Sequence, residues 1–211
     1  MEDQQQDEIE ARRVAEVVYG VNAKAIHCYV DILTSRGIEW GLLGPREPER
    51  IWSRHILNCA ALTSVLSEGV DVVDIGSGAG LPGLPVAILR PDLRMTLVES
   101  LQRRSQFLEL AVDELGLADR VTVVRGRAEE QHLSPDVVTC RAVAPLEKLI
   151  KWTAPQFLPD GQLIALKGDR AEQEVRDCAK ELQRRKLVAE VRTIRASQQA
   201  EATQAVIARR A

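Results

Sequence analysis

Asp74-Ile75-Gly76-Ser77-Gly78-Ala79-Gly80-Leu81-Pro82-Gly83 decides the fold. It joins the apolar run Val70 to Val73 to a second one, Leu84-Pro85-Val86-Ala87-Ile88-Leu89. The first run suits a buried strand and the second the start of a helix, so the stretch reads as a strand-turn-helix junction. Glycines admit positive φ and let the main chain approach a ligand closely, while a helix N-terminus offers unpaired N–H groups. A junction of this kind suits a nucleotide-like ligand.

Two fingerprints overlap in it. Gly78 to Gly83 satisfies the dinucleotide pattern G-x-G-x-x-G, although its first glycine falls late relative to the strand. Read one step earlier, Asp74 stands at the strand tip before the alternating glycines Gly76, Gly78 and Gly80. A carboxylate there repels a pyrophosphate and attracts a sulfonium and an ammonium group, which favours S-adenosylmethionine over NAD. A glycine-rich turn without a ligand is the plain alternative.

Upstream of the junction the pattern is helical. Val14, Val17, Val18, Val21, Ile26, Tyr29, Val30 and Leu33 recur at mostly helical spacing between Ile9 and Arg36, and Gly37 offers a stop. Trp40 to Pro48 is a loop by its Gly and Pro content, and Glu49 to Leu66 returns to a wide apolar helical face. Downstream, strands alternate with helices, the signature of a parallel sheet. Strands are predicted at Arg94–Glu99, Arg120–Arg125, Pro135–Val143 and Gly161–Lys167. A charged helix is expected over Arg170–Lys186, and a closing hairpin at Leu187–Ile194 and Thr203–Ala208. The expected fold class is α/β, a Rossmann-like class I methyltransferase with a seven-stranded, mostly parallel sheet. Residues 1–69 would form a helical extension packed on a catalytic domain of residues 70–211.

Composition narrows the class further. The chain has 211 residues, 45% hydrophobic and 28% charged, ordinary for a globular protein. The N-terminal segment is acidic where a signal peptide would be basic, so a cytoplasmic protein without a membrane partner is expected. Cys28, Cys59, Cys140 and Cys178, and likewise His27, His55 and His132, are scattered without metal-ligand spacing; no metal is expected. Net charge is −3, but the first ten residues hold five acids and no base, leaving 28 basic against 26 acidic groups in the rest. Local distribution therefore decides the partner, and Arg103, Arg104, Arg125, Arg127, Arg141, Lys148, Lys151, Lys167 and Arg170 gather near the junction's end of the sheet or beyond it.

Individual residues follow from strand ends. Glu99 closes the second strand, 19 positions after Gly80, where an acid bonds ribose hydroxyls in doubly wound sheets. Ala128 and Glu129 follow the third strand, in a loop suited to reading an adenine edge. Arg141 ends the fourth strand in Cys140-Arg141-Ala142-Val143-Ala144-Pro145, a sequence lacking the D/N-P-P-Y tetrad of amino-methylating enzymes. Cys140 is a buried thiol or, less plainly, a nucleophile. Lys167 ends the fifth strand as a further cation.

These pieces resemble the RsmG/GidB family, the guanine-N7 methyltransferases of small-subunit ribosomal RNA. The resemblance rests on Arg54-His55-Ile56-Leu57-Asn58, on Asp74 to Gly83 with its Gly-Leu-Pro-Gly extension, and on Glu99-Ser100-Leu101-Gln102-Arg103-Arg104. Arg127-Ala128-Glu129-Glu130, Cys140-Arg141-Ala142 and Ala165-Leu166-Lys167-Gly168 complete it. Gly41-Leu42-Leu43-Gly44 departs from the family's Asn-Leu-Thr element, so no substrate role is carried over to that loop. The resemblance implies that Gly76, Leu81, Ala128, Glu129 and Arg141 contact S-adenosylmethionine, and that Arg141 and Lys167, with Arg54 and His55, face RNA. Arg141 and Lys167 would position the reactants without a general acid or base, because guanine N7 carries a free lone pair and can displace the methyl group in line. A monomer acting on ribosomal RNA or the small ribosomal subunit is expected. Methylation of another RNA, a protein or a small molecule, an NAD-dependent oxidoreductase, and a non-catalytic assembly factor are the alternatives.

Overall fold

The computed structural model describes residues 2–211, with side chains from Gln5 onward. Its seven strands are β1 (Asp71–Ile75), β2 (Arg94–Glu99), β3 (Val121–Arg125), β4 (Val137–Arg141), β5 (Gln162–Lys167), β6 (Leu187–Ile194) and β7 (Thr203–Arg210). They form one sheet in the order β3-β2-β1-β4-β5-β7-β6. The first five are mutually parallel, and β7 runs antiparallel to both neighbours. The α/β class, the strand count and the terminal hairpin are therefore as the sequence predicts. The chain leaves β1 in one direction for β2 and β3, and in the other for β4 and β5. The carboxyl ends of β1 and β4 thus flank the switch point at which such sheets bind ligands.

Strand alternation divides the core into two layers. Val72, Leu97, Val137 and Ile164 face helices α1 (Glu2–Tyr19), α2 (Ala23–Ile32), α4 (Gly83–Leu89) and α5 (Gln102–Glu114), joined by Ile56, Leu62 and Phe107. Val73, Val98, Val138 and Ala165 face α6 (Leu146–Phe157), α7 (Ala171–Asp177) and α8 (Ala179–Arg185). The N-terminal helices therefore share a continuous core with one face of the sheet.

Three local expectations change. Gly37 does not stop the second helix, which passes through a π-helical stretch at Leu33–Gly37. The segment expected as one regular helix over Glu49–Leu66 is a 3-10 turn at Glu47–Arg50, a π-helical stretch at Ile51–Leu57, one α turn at Asn58–Ala61 (α3) and a 3-10 turn at Leu62–Val65. The charged helix predicted over Arg170–Lys186 breaks at Cys178 into α7 and α8, and Lys186 ends it at φ +56°.

Candidate active site

The glycine turn is built by contacts on both sides. Gly80 has φ +98°, and a Cβ there would lie 2.5 Å from Leu84 and 3.0 Å from the Tyr29 hydroxyl. Gly83 has no special φ, but a Cβ would come within 2.4 Å of Leu97 and 2.8 Å of Asp74 Oδ2. The family-specific glycine after Leu81-Pro82 thus lets α4 start directly against β1 and β2. From the N-terminal side, Tyr29 donates its hydroxyl to the Ala79 carbonyl at 2.8 Å, and Tyr19 donates to Pro85 O at 3.2 Å.

Asp74 is not at a strand tip. β1 continues to Ile75, and alternation turns Asp74 sideways beneath α4, where it is fully buried. Its Oδ2 accepts the Gly83 N–H at 3.0 Å, its Oδ1 has no hydrogen-bond partner, and it lines none of the three concavities at the carboxyl ends of the strands. Burial pushes its pKa up to about 7, opposed by the bond from the Gly83 N–H, while the Ser77 hydroxyl donates to the Asp74 main-chain carbonyl at 2.9 Å. The expected direct contact of Asp74 with the ligand is thus replaced by a structural one. The same contact argues against a dinucleotide, because the amide at the start of α4, where a pyrophosphate would sit, already holds the protein's own carboxylate.

Three adjoining concavities open along the carboxyl ends of the strands. The first, about 480 Å³, lies between the glycine turn (Gly76, Ser77, Gly78, Leu81), Glu99, Arg104, Arg141 and the Leu42–Gly44 loop. Glu99 is buried, and its two oxygens accept the Gly78 and Leu101 N–H groups at 3.0 and 2.9 Å. Each oxygen keeps a second lone pair for a hydroxyl. The second concavity, about 260 Å³, continues past Gly76 and Ser100 to Gly126, Ala128, Glu129 and Trp152. The Ala128 carbonyl is held by Gln156 Nε2 at 2.7 Å, and Ala128 itself is buried. The third, about 710 Å³, extends from Arg141 to Arg54, Lys167, Gly168 and Arg170. Arg141 lines both the first and the third.

Most of the expected residues thus meet in this crevice: Gly76, Gly78, Leu81, Glu99, Ala128, Glu129, Arg141, Lys167, Arg54 and His55. Gly80 joins Asp74 behind the turn. Two of the expected residues are given other roles by their partners. Alternation places Lys167 on the α6–α8 face, where Nζ binds Glu174 Oε2 at 2.7 Å and the Ala144 carbonyl at 2.8 Å. Glu174 Oε2 also accepts the Leu146 N–H, so Lys167 secures the loop entering α6 and its charge is neutralised rather than offered to RNA. His55 is only 8% exposed and both its ring nitrogens are engaged, by Arg141 and Glu47. Arg54, in contrast, keeps a half-exposed side chain. Cys140 is buried on the opposite face from Arg141, and burial pushes its thiol up to about 12, which removes it as a nucleophile.

Arg104, one of the cations that gather near the junction in sequence, lines the first concavity, whereas Glu47, Leu42–Gly44, Trp152 and Gln156 received no role from sequence. Only Trp152 carried a usable signal, an aromatic residue on a helix following a strand end.

The described residues contain no group of three or more His, Cys, Asp or Glu able to hold a metal ion, and no helix long and apolar enough to cross a membrane. In overall shape the chain is similar to the B. subtilis tRNA methyltransferase TrmK, with TM-score 0.57, 14% identity, and coverage of 75% of this chain and 66% of that one. It is also similar to the mitomycin 7-O-methyltransferase MmcR, with TM-score 0.61, 18% identity, and coverage of 92% and 67%. In sequence it is 52% identical over 168 residues to the ribosomal RNA small subunit methyltransferase G of Mycolicibacterium smegmatis, covering 77% of this chain and 71% of that protein. With the protein of the same name from Streptomyces avermitilis it is 54% identical over 154 residues, covering 72% and 64%. The family model for GidB, rRNA small subunit methyltransferase G, matches residues 22–203, and on that match the chain belongs to this family of methyltransferases.

Proposed function

We propose that the protein transfers the methyl group of S-adenosylmethionine to N7 of a guanine in 16S ribosomal RNA. The observation that carries the reading is the joined crevice at the switch point, where a nucleoside-sized cavity meets a wider one at Arg141. When bound, S-adenosylmethionine supplies an electrophilic methyl group on a sulfonium.

The residues present fit that cofactor. Glu99 offers lone pairs to ribose hydroxyls, and the small Ala128 beside Glu129 leaves room for an adenine ring against Trp152. Together the two inner cavities are within the range of small-ligand sites. Guanine N7 needs no base to accept a methyl group, and the histidine–carboxylate couple on the crevice wall, His55 with Glu47, has both ring nitrogens engaged within the protein. The chain's contribution is to orient the reactants and exclude water. Arg54 and Arg141 face the wider cavity and suit RNA phosphate. On this reading residues 1–69 are a helical extension that completes the crevice, residues 70–211 are the transferase domain, and a monomer acts on the cytoplasmic small subunit.

The test is labelled methyl transfer to small ribosomal subunits lacking the modification, followed by nucleoside mass spectrometry. Label recovered as 7-methylguanosine and lost on RNase treatment supports the proposal; no transfer, or label retained in protein, ends it.

A further inference from the structure

A half-buried guanidinium on a cavity wall is ordinarily paired with a carboxylate. Arg141 is not: its side-chain partners among the described residues are His55 Nδ1, at 2.8 Å from Nη2, and Cys59 Sγ, at 3.4 Å from Nη1. The nearest acid in the chain of contacts is Glu47, whose Oε2 lies 2.6 Å from His55 Nε2 on the far side of the ring. We propose that Glu47 and His55 are a positioning pair for Arg141, in which a neutral imidazole fixes the direction of the guanidinium while keeping Glu47 from neutralising it. Arg141 is thereby left free for an oxyanion of the ligand. The proposal rests on reading the crevice as a methyltransferase site.

The tautomer follows from donor counting. A guanidinium only donates, so Nδ1 must present its lone pair to Arg141; Nε2 then carries the proton and donates it to Glu47. Set directly against Arg141, Glu47 would form an ion pair competing with any incoming anion. The width of the ring prevents this.

The charged groups facing His55 are Arg141 from β4, Glu47 from the 3-10 turn, and the neighbouring Arg54. Burial and then the charge of Arg141 hold its pKa below the ordinary imidazole value, against the opposing pull of Glu47. Protonation would set an Nδ1–H against an Arg141 N–H, donor to donor and cation to cation, and turn Arg141 out of line. The oxyanion is a methionine carboxylate or an RNA phosphate, which the guanidinium fork recognises by the same chemistry.

In the full-length protein with 15N-labelled histidine, NMR at pH 7 should show His55 as the neutral Nε2–H tautomer. An Nδ1–H or doubly protonated ring overturns the proposal. Calorimetric binding of S-adenosylhomocysteine and methyl transfer to small subunits are then compared in wild type, His55→Asn and His55→Phe, with folding checked by melting. Asn keeps an acceptor near the place of Nδ1; Phe keeps only a ring. His55→Phe should lose about 10- to 100-fold. The loss falls in S-adenosylhomocysteine affinity if the oxyanion is the carboxylate, or in KM for the subunit alone if it is a phosphate; His55→Asn should recover most of it. No loss in folded His55→Phe, or equal losses in both variants, overturns the proposal. Glu47→Gln keeps the acceptor and removes the charge, so the acid limb of the pH profile should move to lower pH; an unmoved limb counts against it. A wild type that neither binds S-adenosylhomocysteine nor transfers methyl groups would end the methyltransferase reading, while the tautomer measurement would still judge the pair.

Discussion

Asp74 is a carboxyl with no exposure and one unpartnered oxygen. Its pKa in the folded chain is about 7 against an ordinary 3.8, so between these values the folded state binds its proton more tightly than the unfolded state. Stability from this group is therefore lost as pH rises from about 4 through 7, by at most ~4 kcal/mol. Urea unfolding of wild type and Asp74→Asn across that range should show the variant gaining on wild type as pH rises, since all other carboxyls are common to both. Cys140→Ala should retain methyl transfer within about twofold in a labelling assay, because a deeply buried, protonated thiol does no chemistry. Arg141 was legible in sequence because it ends a strand beside the turn. Glu47 was not, since a carboxylate on a 3-10 turn reaches Arg141 only through folding and through His55. Lys167 shows the same limit in reverse: its position was legible, but its partner Glu174 is fixed by how α7 packs.

Elements were read more reliably than roles, for a physical reason. An apolar run such as Leu163-Ile164-Ala165-Leu166 announces burial on both faces, so β5 appears within one residue of where the sequence places it, and β2 and β6, though mixed in polarity, keep their expected bounds. The face on which a side chain emerges depends on the strand's end point. Extending β1 to Ile75 moved Asp74 from a tip to a flank, and alternation separated Arg141 from Lys167 although both close their strands. The 3-10 and π-helical turns between Glu47 and Val65 were illegible because their spacing departs from 3.6 residues while keeping an apolar face. At this scale Gly83 sets the approach of α4 to β1. Gly83→Ala should cost about 1–3 kcal/mol from overpacking against the buried Leu97 and Asp74. A melting curve should register it as a fall of several degrees.

For the molecule as a whole, one face of the sheet is covered by α4, α5 and residues preceding β1, and Tyr29, Ile56 and Leu62 are fully buried there. A chain of residues 70–211 would expose the part of that core which the missing residues cover. It should therefore aggregate or show a molten profile by near-ultraviolet dichroism, whereas the full chain unfolds in one step. A cooperative, independently folded fragment would make residues 1–69 a separable domain instead. The Tyr29 hydroxyl on the Ala79 carbonyl, spanning 50 residues of sequence, has a thermodynamic corollary. Occupancy of the glycine turn should slow amide exchange in α2, a helix that lines none of the three cavities of the crevice. Linkage runs in both directions, so a ribosomal partner gripping α2 would raise affinity for the methyl donor by the same factor. Substrate engagement and cofactor loading would then be two ends of a single equilibrium.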